Sequence, residues 1–184
     1  MKNLGEPYKI LVIDADNDLS ELMNQKFRQE IRDNRYQFIF MNNLNGFREH
    51  DDLSLILTDV QLNGVSVLDS IMPFAEKFNI PVVCVSAYGD MNEIRTAMNL
   101  GVVDFLTKPL DFGDLASVMM RVIKSKKMDL FFKIKERIND LKTELERHDH
   151  LSKKYPNDVD FKRELYGCAS QIHALEWVQN FYHL

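Results

Sequence analysis

Residues 53–64, LSLILTDVQLNG, decide how the chain is read: an apolar run ends at a single carboxylate, Asp59, and a turn follows. A short apolar run closed by turn residues reads as a parallel strand covered on both faces, and open α/β sheets keep their chemistry just beyond the carboxyl ends of such strands. Asp59 then sits where a reacting group belongs, although an aspartate at that place also suits the cap of the next helix. The capping account weakens because other strand-like runs end at Asp14, Ser86 and Lys108, a set of groups suited to holding a phosphoryl group.

Outward from this run the pattern repeats. YKILVID at residues 8–14, YQFIFM at Tyr36–Met41, PVVCVS at residues 81–86 and DFLT at Asp104–Thr107 read as four more strands. Helical spacing separates them. Leu19, Leu22, Met23, Phe27 and Ile31 share one face, with Asn17 or Asp18 as cap. A short polar helix is expected near residues 45–50, longer ones over 65–78 and 91–100, the latter ended by Gly101, and a last one over 115–123. Strands alternating with helices through short connections predict a five-stranded, doubly wound parallel α/β sheet, because right-handed crossovers place helices on both faces.

Composition permits this without selecting it. The 184 residues are 45% hydrophobic and 28% charged, enough for one α/β domain and an appendage. A net charge of -5 argues against a broad nucleic-acid footprint. Acid is concentrated early: residues 1–124 hold 12 Lys/Arg against 18 Asp/Glu, and residues 125–184 hold 11 against 10. Two cysteines, Cys84 and Cys168, are too few for a disulfide framework and read as small buried hydrophobes in a reducing compartment. Neither a signal-peptide core nor a membrane-length apolar run is present, so a cytoplasmic protein without membrane contact is expected.

The strand ends supply what phosphoryl transfer to a carboxylate needs: Lys108 as cation, the Ser86 hydroxyl for phosphoryl oxygens, and Asp14 with Asp59 as oxygen ligands for Mg²⁺. ILVIDAD, LILTDVQLNG, PVVCVSAYGD and LGVVDFLTKP, in this order, resemble the receiver domain of two-component response regulators over residues 8–123. That resemblance implies a flavodoxin-like, CheY-like sheet and a signalling module rather than an enzyme, in which a histidine kinase or phosphotransfer protein phosphorylates Asp59. It further implies that Ser86 follows the phosphoryl group, Lys108 binds it, Phe105 changes rotamer on activation, and Pro109 follows the lysine in a cis bond. The Gln61 main-chain carbonyl falls at the metal site, with Asp16 as a further candidate ligand. Two departures stand out. Ala15 occupies the place of a second adjacent acid, which points to weaker Mg²⁺ binding, and the loop after Asp59 has Asn63 where proline is frequent and Val67 where glycine is usual.

Other readings use the same residues. Asp14-Ala15-Asp16 also resembles the DxD motif of haloacid-dehalogenase-type phosphatases, with Asp14 as nucleophile and Asp16 as acid/base, but that reading leaves Asp59 without a role. A degenerate receiver acting by protein contact alone is a further alternative. A dinucleotide site needs a glycine-rich turn after the first strand, and DADNDLS has no glycine.

The receiver-like region is expected over residues 8–124, and a helical hairpin extension over 125–184, after a basic hinge, KSKK. Phe131, Ile134, Ile138, Leu141, Leu145 and His148 form one stripe; Phe161, Leu165, Cys168, Ile172, Leu175 and Gln179 form the other, with Pro156 between them. Such a hairpin is expected to mediate homodimerisation or partner contact. His148, Asp149 and His150 read as a solvated face rather than a metal cluster, since alternate helical positions point apart. His173 reads as a surface or packing residue, and Trp177, Phe181 and Tyr182 as aromatic packing against a neighbouring helix.

Overall fold

Alternation of apolar side chains along the strands sets the architecture. The computed structural model describes residues 6–50, 52–87 and 90–181, and only the backbone of Phe161 and Phe181. In chain order it contains β1 (Tyr8–Ile13), α1 (Asp18–Lys26), α2 (Arg28–Arg32), β2 (Tyr36–Met41), a 3-10 turn (Phe47–Glu49), β3 (Leu55–Thr58), β4 (Gln61–Leu62) and β5 (Val65–Ser66). Then come α3 (Leu68–Lys77), β6 (Val82–Ser86), α4 (Met91–Asn99), β7 (Asp104–Thr107), α5 (Phe112–Lys154) and α6 (Val159–Phe181).

Five strands make one parallel sheet in the order β2-β1-β3-β6-β7. Ile10, Val12, Leu55, Leu57 and Val83 face one side, where they meet Leu19, Met23, Leu115 and Met119. Their neighbours Leu11, Ile13, Ile56, Val82 and Cys84 face the other, against Leu68, Ile71, Phe74 and Ala97. Both faces are therefore core, which explains why these strands read as unbroken apolar runs.

The chain divides into two compact units, one through Ser125 and one from Lys126. In the second, Ile138 and Leu141 of α5 pack on Cys168 and Ile172 of α6, flanked by Ile134, Leu145 and Leu175. The turn between the helices holds Pro156, and the Asp158 side chain accepts the Asp160 N–H at 2.9 Å, which starts α6. No helix among the described residues is long and apolar enough to cross a membrane.

Several local expectations are corrected. Val65 lies in a hairpin strand rather than a helix: Asn63 and Gly64 have φ of 53° and 79°, the left-handed pair that a two-residue hairpin turn requires. The first helix is interrupted at Phe27, whose ring packs on Tyr36 and Phe38. Asn17 makes no side-chain cap; the Asp16 carboxylate accepts the Asp18 N–H instead, at 2.9 Å. KSKK is helical, since it contains neither Gly nor Pro to interrupt α5. Trp177 is 58% exposed, on the side of α6 opposite the hairpin seam. The Phe181 side chain and Tyr182 lie outside the described residues.

The two-sided core predicts a contrast in stability. Ile56 is 0% exposed on the central strand, so Ile56→Ala should cost about 2–5 kcal/mol. Leu22 on α1 is 44% exposed, and Leu22→Ala should cost less than about 0.5 kcal/mol. Urea denaturation followed by circular dichroism compares the two; similar losses would contradict the assigned core.

Candidate functional site

Strand register brings the chemistry together. Ile13 pairs with Thr58, Thr58 with Cys84, and Ser86 with Thr107, so the carboxyl ends of β1, β3, β6 and β7 share one sheet edge. Asp14, Asp59 and Lys108 each follow directly on the last residue of a strand, and Ser86 is itself the last residue of β6. Main-chain bonds fix these positions: Asp14 N–H donates to the Met41 carbonyl at 3.0 Å, Asp59 N–H to Ile13 at 2.9 Å, and Lys108 N–H to Ser86 at 2.8 Å.

The side chains converge on one ammonium. Lys108 Nζ donates to Asp14 Oδ2 at 2.6 Å and to Asp59 Oδ2 at 3.1 Å. The other carboxylate oxygens accept main-chain N–H groups, Asp14 Oδ1 from Asp16 at 2.9 Å and Asp59 Oδ1 from Gln61 at 3.4 Å. Partial burial lowers the proton affinity of the lysine, but the hydrogen bonds and charges of Asp14 and Asp59 together outweigh it and hold Lys108 above the ordinary lysine range. Ser86 is buried at the same edge. Phe105 is half-buried on β7 against the core, and the Lys108–Pro109 bond is cis, as the resemblance implied.

Asp16 is tied to this group through its main-chain N–H, which donates to Asp14 Oδ1. It is exposed, and its Oδ1 is engaged by Asp18 at the start of α1. Gln61 contributes a main-chain N–H toward Asp59, while its side chain is exposed. Among the described residues no three His, Cys, Asp or Glu side chains cluster as a metal cage. Mg²⁺ commonly takes only one or two carboxylates and completes its shell with water and phosphoryl oxygens. Asp14 and Asp59, hard oxygen donors held at the same ammonium, fit that requirement.

One neighbour escaped the sequence reading. Glu93, in the first turn of α4, has a buried Oε2 without a hydrogen-bond partner, and burial, then Asp90, then Asp59, raise its proton affinity. D-x-x-E at Asp90–Glu93 signals a helix start, and Asp90 does accept the N–H groups of Asn92 and Glu93 at 2.8 Å. Nothing in that local pattern says that the helix starts beside β6. The Cys84 thiol there is pushed up to about 12, first by burial and then by Asp59 and Glu93, which makes it an inert core residue.

In the second unit, His148 Nδ1 lies 3.0 Å from Glu164 Oε2, Asp149 pairs with Lys153 at 2.6 Å, and His150 and His173 are exposed.

The lysine tie predicts a pH signature. Folding raises Lys108 above 10.5, so its stabilisation is complete below that value and is lost as pH rises through the higher folded value. With a chelator present, Lys108→Met should cost about 1–3 kcal/mol at neutral pH, and the gap to wild type should shrink only in strongly alkaline solution. Chemical denaturation across pH 7–11 measures it; a gap that closes below pH 9 would contradict the assignment.

Comparison with known proteins covers the first unit. The family model for the response regulator receiver domain matches residues 10–120. Response regulator protein PilR of Pseudomonas aeruginosa is 29% identical over 120 residues, covering 63% of this chain and 26% of that protein. Sporulation initiation phosphotransferase F of Bacillus subtilis is 27% identical over 124 residues, covering 64% and 95%. Chemotaxis protein CheY of Treponema pallidum is 25% identical over 130 residues, covering 65% and 85%. The chain thus spans about a quarter of the PilR protein but most of the two shorter relatives. A CheY-like receiver structure from Methanospirillum hungatei superposes with a TM-score of 0.60 at 16% identity, covering 67% of this chain and 99% of that one. A Thermotoga maritima response regulator gives 0.55 at 22%, covering 65% and 98%; these two likenesses speak to fold alone. A parallel sheet of this order, with its acids and lysine at the carboxyl edge, and a family match across most of the first unit lead to one conclusion: the chain belongs to the response regulator receiver domain family of two-component systems.

Proposed function

We propose that Asp59 accepts a phosphoryl group from a histidine kinase or phosphotransfer protein, and that residues 8–124 pass the resulting change to the helical extension at 125–184. Receiver domains are in general signalling modules that work with such donors and with Mg²⁺. The observation that carries the reading here is the Lys108 ammonium held between Asp14 and Asp59. Asp59 attacks phosphorus through a carboxylate oxygen; the O–P bond forms as the P–N bond to the donor imidazole breaks, and the electron pair stays on that nitrogen. Lys108 offsets the charge on the arriving phosphoryl oxygens, the Ser86 hydroxyl donates to one of them, and Phe105 moves as Ser86 is drawn toward the site. Asp14, Asp59 and the Gln61 main-chain carbonyl would hold Mg²⁺, which supplies further charge neutralisation when bound.

Incubation with Mg²⁺ and acetyl phosphate should add one phosphoryl mass to the wild type and none to Asp59→Asn, read by intact mass spectrometry. Equal labelling of both overturns the assignment. Steady phosphatase turnover that survives Asp59→Asn and disappears in Asp14→Asn supports the phosphatase reading instead.

Ala15 carries a second expectation. With Asp16 turned to α1, the site offers two carboxylates where a third would strengthen cation binding. Ala15→Asp should tighten Mg²⁺ by about tenfold and speed labelling at low Mg²⁺, since affinity follows the charge of the ligand set. Titrations followed by melting temperature and by labelling rate test this; unchanged curves mean that main-chain and water oxygens already complete the site.

A further inference from the structure

Helix α6 carries apolar side chains on two sides, and the hairpin uses one. Cys168, Ile172 and Leu175 face α5. On the opposite side Val159 is 75% exposed, Tyr166 75% and Trp177 58%. Val159, Tyr166 and His173 recur every seven residues, as do Arg163, Ser170 and Trp177, and the two series are offset by three or four positions. The three apolar members, Val159, Tyr166 and Trp177, fall at the spacing of a seam along which a second helix can lie, with Arg163, Ser170 and His173 between them.

The order of residues along the seam selects the occupant. Set against an antiparallel copy of itself about a two-fold axis near Cys168, each large side chain meets a smaller one: Tyr166 meets Ser170 and Trp177 meets Val159. Arg163 meets His173. On one flank Lys162 falls opposite Glu176, and the pair occurs twice by symmetry. On the other flank Gly167 meets its own counterpart, and the space where a Cβ would stand is open, so the backbones can approach closely. An isologous contact repeats each of these size and charge complementarities twice, since residue i meets j and j meets i. Glu176 already lies 2.9 Å from Lys142 of its own hairpin, which leaves a carboxylate with 41% exposure to be shared.

We propose that the outer face of α6, from Val159 to Trp177, is a homodimerisation surface that takes the same face of a second copy in antiparallel orientation. The inference rests on the reading of residues 125–184 as a contact element and names its partner. Nineteen residues of contact span about 27 Å, an interface of the small, reversible class.

Sedimentation velocity of the full chain over a concentration series should show a monomer–dimer equilibrium. Tyr166→Glu, at a solvent-facing position, should weaken it at least tenfold with an unchanged circular dichroism spectrum, and Lys135→Glu on exposed α5 surface should leave it unaltered. Under mild oxidation, Lys162→Cys mixed with Glu176→Cys should give a disulfide-linked dimer, while neither variant links to itself. A wild type that stays monomeric at the highest concentration overturns the proposal. So does a dimer insensitive to Tyr166→Glu, which would leave the helical unit a contact element through another face. Self-linking of each single variant overturns the antiparallel arrangement.

Discussion

One ammonium between two carboxylates is the interaction on which the first unit turns. Asp14 and Asp59 lie close enough to reach the same nitrogen, and two partly buried like charges at that separation would repel without it. Lys108 offsets them from a third strand end, so the sheet edge is tied together by charge as well as by its ladder. The same cation is what an incoming anionic phosphoryl group requires. On the proposed reading, the arrangement that relieves repulsion also meets the charge that phosphoryl transfer would bring.

That tie is only as precise as the strands beneath it. β1, β3 and β6 are covered on both faces, and a slip of register would turn their side chains from one core to the other. Burial on two faces therefore fixes the position of three strand ends, and β7 is held to β6 by a four-residue register. The chemistry occupies the first place where the chain leaves that constraint. Cys84 and Glu93 show the cost of proximity: each is pushed toward its protonated form by burial and by Asp59.

The second unit follows a different rule. A helix of 23 residues with apolar side chains on opposite sides cannot bury both in a two-helix hairpin. Trp177 is exposed on the side opposite the seam with α5, which takes the side defined by Cys168 and Ile172. The exposed side is then free to keep a heptad spacing of its own.

Much of this was legible in the chain. Unbroken apolar runs ending at Asp14, Asp59, Ser86 and Lys108 determined the strands, the parallel sheet and the edge at which those residues meet, because period and turn residues are local properties. Pro156 placed the hairpin turn for the same reason. The Asn63-Gly64 hairpin is the exception, a local turn signal that the apolar Val65 beside it overshadowed. Other features were decided only by tertiary structure. The break at Phe27 follows from aromatic packing between segments distant in sequence. That Glu93 lies near enough to Asp59 to have its proton affinity raised by it, after burial and Asp90, depended on where α4 begins relative to β6. Spacing fixes which way a side chain points from its own element; only packing fixes what it meets.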